Sequence, residues 1–132
     1  MLTGGCHCGA LRYEARGEPF EPALCHCVDC RRVSGAPALA WFTVRAADFA
    51  YTRGAPARYA SSTRAAREFC GLCGAQITFA QHELAGAQID VTTASLDDPE
   101  AVPPAQHIFV HSRLAWMRGL DTLPERAGDF SA

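Results

Sequence analysis

The chain is patterned as short, mostly alternating runs of apolar and polar residues separated by breakers. Residues 10–15 (ALRYEA) alternate with period two and read as a strand. Gly17-Glu18-Pro19 and Glu21-Pro22 interrupt the pattern, residues 23–27 resume it, and residues 28–34 suit a short helical turn. Residues 37–44 (PALAWFTV) give the longest and clearest strand. A turn at 45–48, a strand at 49–53 and the breaker Gly54-Ala55-Pro56 follow. Residues 59–62, 65–69 and 75–80 (AQITFA) then suggest a hairpin ladder around a turn at residues 70–73. Residues 88–93 (QIDVTT) alternate, 97–100 (DDPE) read as a turn, and 107–110 as a short strand. Apolar residues nowhere repeat at helical spacing over three turns. The pattern predicts a mainly β fold, a meander or sandwich of short strands with small helical turns. Trp41, Phe42, Ile77, Phe79 and Ile89 are expected in its core.

Composition narrows this picture. At 132 residues and 48% hydrophobic, the chain predicts one domain over 1–132 and excludes disorder. The longest mainly apolar stretch, 36–44, is far below the roughly twenty residues of a membrane span. The first residues show neither a basic nor an apolar signal region, which predicts a cytoplasmic, reducing location. Twelve basic residues stand against fourteen acidic ones, without a basic cluster, so a nucleic-acid partner is not expected. Every basic residue is Arg, so no Lys is available for Schiff-base chemistry.

The seven cysteines change the picture most. Cys6-His7-Cys8 and Cys25-His26-Cys27 are C-x-C, while Cys27 to Cys30 and Cys70 to Cys73 are C-x-x-C. An odd count in tight clusters points to metal rather than disulfides. In an extended segment residues i and i+2 share a face, so C-x-C aims two sulfurs at one ion. A C-x-x-C turn does the same by folding back, and Cys8-Gly9 and Cys73-Gly74 supply the glycine that such a turn favours. Zinc suits four thiolates in a closed site or three with one position open. Two partitions are open. Cys6, Cys8, Cys70 and Cys73 can share one ion, with Cys25, Cys27 and Cys30 on another; local ligands favour this, because they close little loop. Alternatively Cys6, Cys8, Cys25 and Cys27 share one ion, with Cys30, Cys70 and Cys73 on another. The three-ligand ion carries less negative charge and is the better Lewis acid. His7, His26 or His107 could close the second site instead, although His26 should point to the opposite strand face from Cys25 and Cys27.

The ordered runs Gly4-Gly5-Cys6-His7-Cys8-Gly9, Cys25-His26-Cys27-Val28-Asp29-Cys30-Arg31-Arg32-Val33-Ser34-Gly35, Arg67-Glu68-Phe69-Cys70-Gly71-Leu72-Cys73-Gly74, Leu96-Asp97-Asp98-Pro99 and His107-Ile108-Phe109 resemble the glutathione-dependent formaldehyde-activating enzyme family, also called centromere protein V-like. The likeness spans about residues 3–117 and leaves 118–132 as a C-terminal tail. It implies a zinc-binding β-tent with two zinc ions per chain. Cys6, Cys8, Cys70 and Cys73 match the family's structural zinc ligands, and Cys25, Cys27 and Cys30 its catalytic ones. The implied activity is that of a carbon–sulfur lyase acting in reverse, an S-(hydroxymethyl)glutathione synthase that adds the thiol of glutathione, or another small thiol, to formaldehyde. Within that reading, Arg31 and Arg32 are candidates for glutathione's carboxylates. His26 and His107 are candidates for acid–base work. The contrasting expectation is a non-catalytic, zinc-stabilised module that binds a protein or nucleic-acid partner.

Overall fold

Ten strands form in the computed structural model, which describes residues 1–130, nine of them at or near the predicted runs and the first, at Leu2–Gly5, outside any of them. They are β1 (Leu2–Gly5), β2 (Arg12–Ala15), β3 (Phe20–Cys25), β4 (Leu39–Arg45), β5 (Phe49–Arg53), β6 (Ala57–Tyr59), β7 (Ala65–Phe69), β8 (Gln76–Gln81), β9 (Gln88–Thr92) and β10 (Gln106–Ile108). One α-helix, α1 (Val28–Ser34), coincides with the expected turn, and short 3₁₀ turns complete the described residues. The protein is mainly β, as its alternation predicts.

The strands make two sheets rather than one meander. A small sheet has the order β1-β2-β5, and a large one the order β10-β3-β4-β9-β8-β7-β6. All pairings are antiparallel except β10 with β3. A 3₁₀ turn at Ala46–Asp48 carries the chain from β4 into the small sheet.

Three boundaries differ from the sequence reading, each for a local reason. β3 runs through Glu21 and Pro22, because Glu21 takes a positive φ of 51° and the register shifts between Phe20 and Ala23. At such a bulge a proline's missing N–H costs no ladder bond. β6 stops at Tyr59, and Ser62 closes the turn instead: its hydroxyl accepts the Arg64 N–H at 3.1 Å. β10 stops at Ile108, because Phe109 is left-handed (φ 55°) and starts a 3₁₀ turn.

Leu11, Tyr13 and Ala15 from the small-sheet side meet Phe42, Val44, Ile77 and Val91 from the large sheet, with Cys70, Leu96 and Val102 at the margins. Full burial stabilises by roughly 1.5–3 kcal/mol for each large aliphatic or aromatic side chain, so this layer holds the sheets together. The other face of the large sheet is covered in part, where Cys30 of α1 packs on it. Phe42 and Val44 of β4 point to the main core, whereas Trp41 joins a second cluster with Cys25, Cys30, Leu39, Phe79 and Ile108. Apolar packing on both faces of β4 explains why 37–44 reads as continuously apolar.

Trp41 is buried as expected, but in the second cluster, where Phe79 packs against it only partly buried. Phe79 escapes the main core because β8 carries one extra residue: Phe69 pairs with Gln76 and Glu68 with Thr78, leaving Ile77 unpaired between them. Ile77 and Phe79, two residues apart, consequently serve opposite faces.

A 3₁₀ run at Ala115–Thr122 extends past the family-like region and leaves Trp116, Leu120 and Leu123 exposed. Residues 131 and 132 of the expected tail lie outside the described residues. No helix among the described residues is long and apolar enough to cross a membrane.

Candidate metal centres

Two loops, 62 residues apart in sequence where Cys8 meets Cys70, build the first cluster. The loop after β1 is closed by the Cys6 N–H donating to Leu11 O at 3.1 Å. The turn between β7 and β8 is closed by Cys70 N–H donating to Ala75 O at 3.0 Å. Gly9 and Gly74 both sit at φ 81°, so each loop uses its glycine for the left-handed residue that folds the cysteines together. The sulfurs of Cys6, Cys8, Cys70 and Cys73 all lie within 4.8 Å of one another. Backbone N–H groups of Leu11 (to Cys6, 3.2 Å) and of Leu72 and Cys73 (to Cys70, 3.4 and 3.5 Å) donate to sulfur. Such donors favour the thiolate that a metal requires. Cys73 is held down to about 6, first by the Ala75 N–H and then by that of Cys8.

The second cluster needs only six residues of chain. Cys25 ends β3, Cys27 caps α1, and Cys30 lies in the helix's first turn. Cys27 Sγ accepts the Cys30 N–H at 3.3 Å, replacing the oxygen of an ordinary helix cap. Gly35, left-handed at the far end, stops the helix after two turns. The three sulfurs lie within 4.8 Å of one another, and Cys25 and Cys30 are buried. Cys30 is pulled down to about 5 by the Cys25 thiol, against burial, with Cys27 and Arg67 adding to the effect. Cys25 is pushed up correspondingly by its bond to Cys30 and by burial.

The first of the two partitions is thus the one the fold assembles, and neither group includes a histidine or carboxylate. Both donor sets are all sulfur and convergent, and N–H groups point at the sulfurs. That fits soft tetrahedral coordination of zinc, closed at the quartet and one ligand short at the trio.

The trio opens into a cleft of about 730 Å³; the quartet does not. Cys25, Cys27 and Cys30 share its lining with Trp41, Phe79, Arg67 and Asp90, and Arg64 stands at the exposed rim. Asp90 accepts the Thr43 hydroxyl at 2.6 Å across the β4–β9 pair. Burial, only partly offset by Thr43, raises its carboxyl above the ordinary range.

The remaining candidates lie elsewhere. His26 is 1% exposed and turned from the sulfurs; its Nε2 is 2.8 Å from His107 Nδ1 and its N–H donates to Ile108 O at 3.0 Å. Burial lowers its basicity, with Arg113, His107 and Arg31 adding to the effect. Neither His26 nor His107 lines the cleft. Arg31 and Arg32 line a separate depression on the outside of α1, with Val28, Leu114 and Trp116. Arg67, which the sequence offers only as the first residue of the run that ends at Gly74, and Asp90 join the site unexpectedly. Their only signal is parity: each follows a two-residue step from a residue on the cleft side of its strand, and periodicity alone does not say which side that is.

A model of the glutathione-dependent formaldehyde-activating enzyme family matches residues 1–112. No curated protein matches the chain. Among solved structures, the crystal structure of a Rhodobacter sphaeroides protein is similar, with a TM-score of 0.61 and 29% sequence identity over 80% of this chain and 98% of that chain.

Proposed function

Because this chain belongs to the glutathione-dependent formaldehyde-activating enzyme family, we propose that it is a zinc-dependent enzyme of the carbon–sulfur lyase type. In this reading it adds the thiol of glutathione, or of another small thiol, to formaldehyde. The observation that carries it is the asymmetry of the clusters: the three-sulfur group lines the cleft and the four-sulfur group does not. Cys6, Cys8, Cys70 and Cys73 hold a structural zinc, and Cys25, Cys27 and Cys30 a catalytic one.

Bound at the trio, zinc supplies Lewis acidity and a fourth coordination position. The chain's own residues do the rest. Trp41 and Phe79 form apolar walls that keep water from the reacting atoms. The carbon–sulfur bond forms as the carbonyl double bond becomes a single bond, and the thiol's proton ends on that oxygen. Asp90, its carboxyl raised and its orientation fixed by Thr43, is the group in the cleft suited to carry that proton. Arg64, exposed and, among the described residues, ion-paired with the equally exposed Glu83 at 3.0 Å, is free to exchange that partner for a substrate carboxylate. That role passes to Arg64 from Arg31 and Arg32, which line the outer depression. His26 with His107 braces the ligand segment against β10.

Thiol and formaldehyde also combine spontaneously in water, so the test must measure rate above that background. Exchange between free and hydroxymethylated glutathione, followed by magnetisation-transfer NMR, is expected to accelerate with wild-type protein and return to background with Cys30→Ser. Indistinguishable exchange rates for the two proteins would overturn the enzymatic reading and hand this surface to a binding role.

A further inference from the structure

Arg67 stands out as a buried charge without a carboxylate. It lies on β7, is 4% exposed, and belongs to none of the four ion pairs among the described residues. Both Nη1 and Nη2 lie 3.9 Å from Cys30 Sγ, while Nε is buried without a partner. The guanidinium packs 4.8 Å from the Phe79 ring centre and 6.0 Å from that of Trp41. A guanidinium does not escape burial by losing its proton, so this charge is permanent. Isolated buried charges are strongly disfavoured unless something of opposite sign compensates them. Asp90, half-buried in the same cleft, accepts the Thr43 hydroxyl. The compensating charge is the sulfur of the trio.

Counting charges shows what such a cation does. Three thiolates around a divalent ion leave one net negative charge, and a fourth anionic ligand would make two. At the quartet, two net charges are tolerable because Cys8 and Cys73 face water. At the trio, Cys25 and Cys30 are buried and water cannot do this work. We infer that Arg67 sets the charge balance of the three-sulfur site so that the ion held there accepts a thiolate as fourth ligand in preference to a neutral donor. The inference rests on the thiol-plus-zinc reading above and adds to it a positioning residue that selects the ligand class.

The test replaces zinc with cobalt(II), whose sulfur charge-transfer and ligand-field bands report the ligand set without turnover. Cobalt-loaded wild type, Arg67→Met, Arg67→Gln and Arg67→Lys are titrated with 2-mercaptoethanol and, separately, with imidazole as the neutral donor. Met is chosen because it preserves packing against Phe79 and Trp41. Wild type should bind 2-mercaptoethanol more tightly than imidazole; the reverse order overturns the inference. In Arg67→Met and Arg67→Gln, 2-mercaptoethanol affinity should fall about tenfold or more while imidazole affinity stays within about threefold. Arg67→Lys should stay near wild type. Equal losses for both ligands, no loss for either, or a Lys variant as weak as Met would each show that Arg67 is structural. Wild type that binds no thiol at all would instead sink the proposed function, so the two failures are distinguishable.

Discussion

The quartet ties the loop after β1 to the β7–β8 turn, 62 residues away where Cys8 meets Cys70, and leaves two of its cysteines in solvent. The trio spans six residues, keeps two cysteines buried, and sits beneath an arginine and two aromatic rings. Both offer sulfur as the ligand atom and both receive backbone N–H donors. The difference teaches that thiolate chemistry alone does not tell the two groups apart. Ligand count, and whether water or protein balances the charge, does so.

The sharpest way to break the comparison is to remove one buried ligand from each cluster. Cys70→Ser takes away a quartet sulfur that also fills the main core. Structural zinc contributes on the order of 10 kcal/mol in small domains, comparable with an entire domain's stability. This variant should fail to fold, read by circular dichroism and amide NMR dispersion. A folded Cys70→Ser protein with only a slightly lowered melting temperature would erase the distinction.

Cys30→Ser should remain folded, keep one zinc equivalent by elemental analysis and lose catalysis above background. Loss of both equivalents would mean that the clusters depend on each other. In the wild type, a colorimetric chelator should withdraw zinc in two phases of one equivalent each. The trio's ion should leave about tenfold faster, since an open position lets the chelator attack before any thiolate leaves. A single phase of two equivalents would contradict this.

Smaller effects test the brace itself. Gly74→Ala places a side chain at φ 81°, where no atom lies within 4 Å of the new Cβ, so the cost is conformational alone. About 1–2 kcal/mol is expected, lowering the melting temperature by several degrees. An unchanged melting temperature would show that the turn relaxes. Asp97 accepts bonds from Arg12 and Thr3, which hold its carboxyl down to about 2. A depressed carboxyl stabilises above the ordinary aspartate range and loses that contribution as pH falls toward about 2. Asp97→Asn should therefore melt slightly lower than wild type at neutral pH, the gap closing across that acid window. Screening by solvent keeps this effect the smallest of the set.

Much of the fold was legible because alternation and breakers report local geometry. The helix at Val28–Ser34 and the strands around residues 12–15, 39–45, 49–53 and 65–69 emerge where the pattern puts them. The quartet and trio were legible as spacings, and loop-closure cost favoured the partition that the fold adopts. Face was not legible. The β8 bulge sends Ile77 and Phe79 to opposite sides, and nothing in AQITFA announces it. Arg67 and Asp90 stayed hidden for the same reason: their meaning depends on the neighbouring strand, not on their own run. Arg31 and Arg32, beside a ligand in sequence, face outward because α1 turns them about its axis, away from the sulfurs.

The spacing of the ligands also orders metal delivery in time. As the chain leaves the ribosome, Cys25, Cys27 and Cys30 emerge about forty residues ahead of Cys73. If both clusters load zinc as proposed, the three-sulfur centre has its whole ligand set before the four-sulfur one, which waits for the β7–β8 turn.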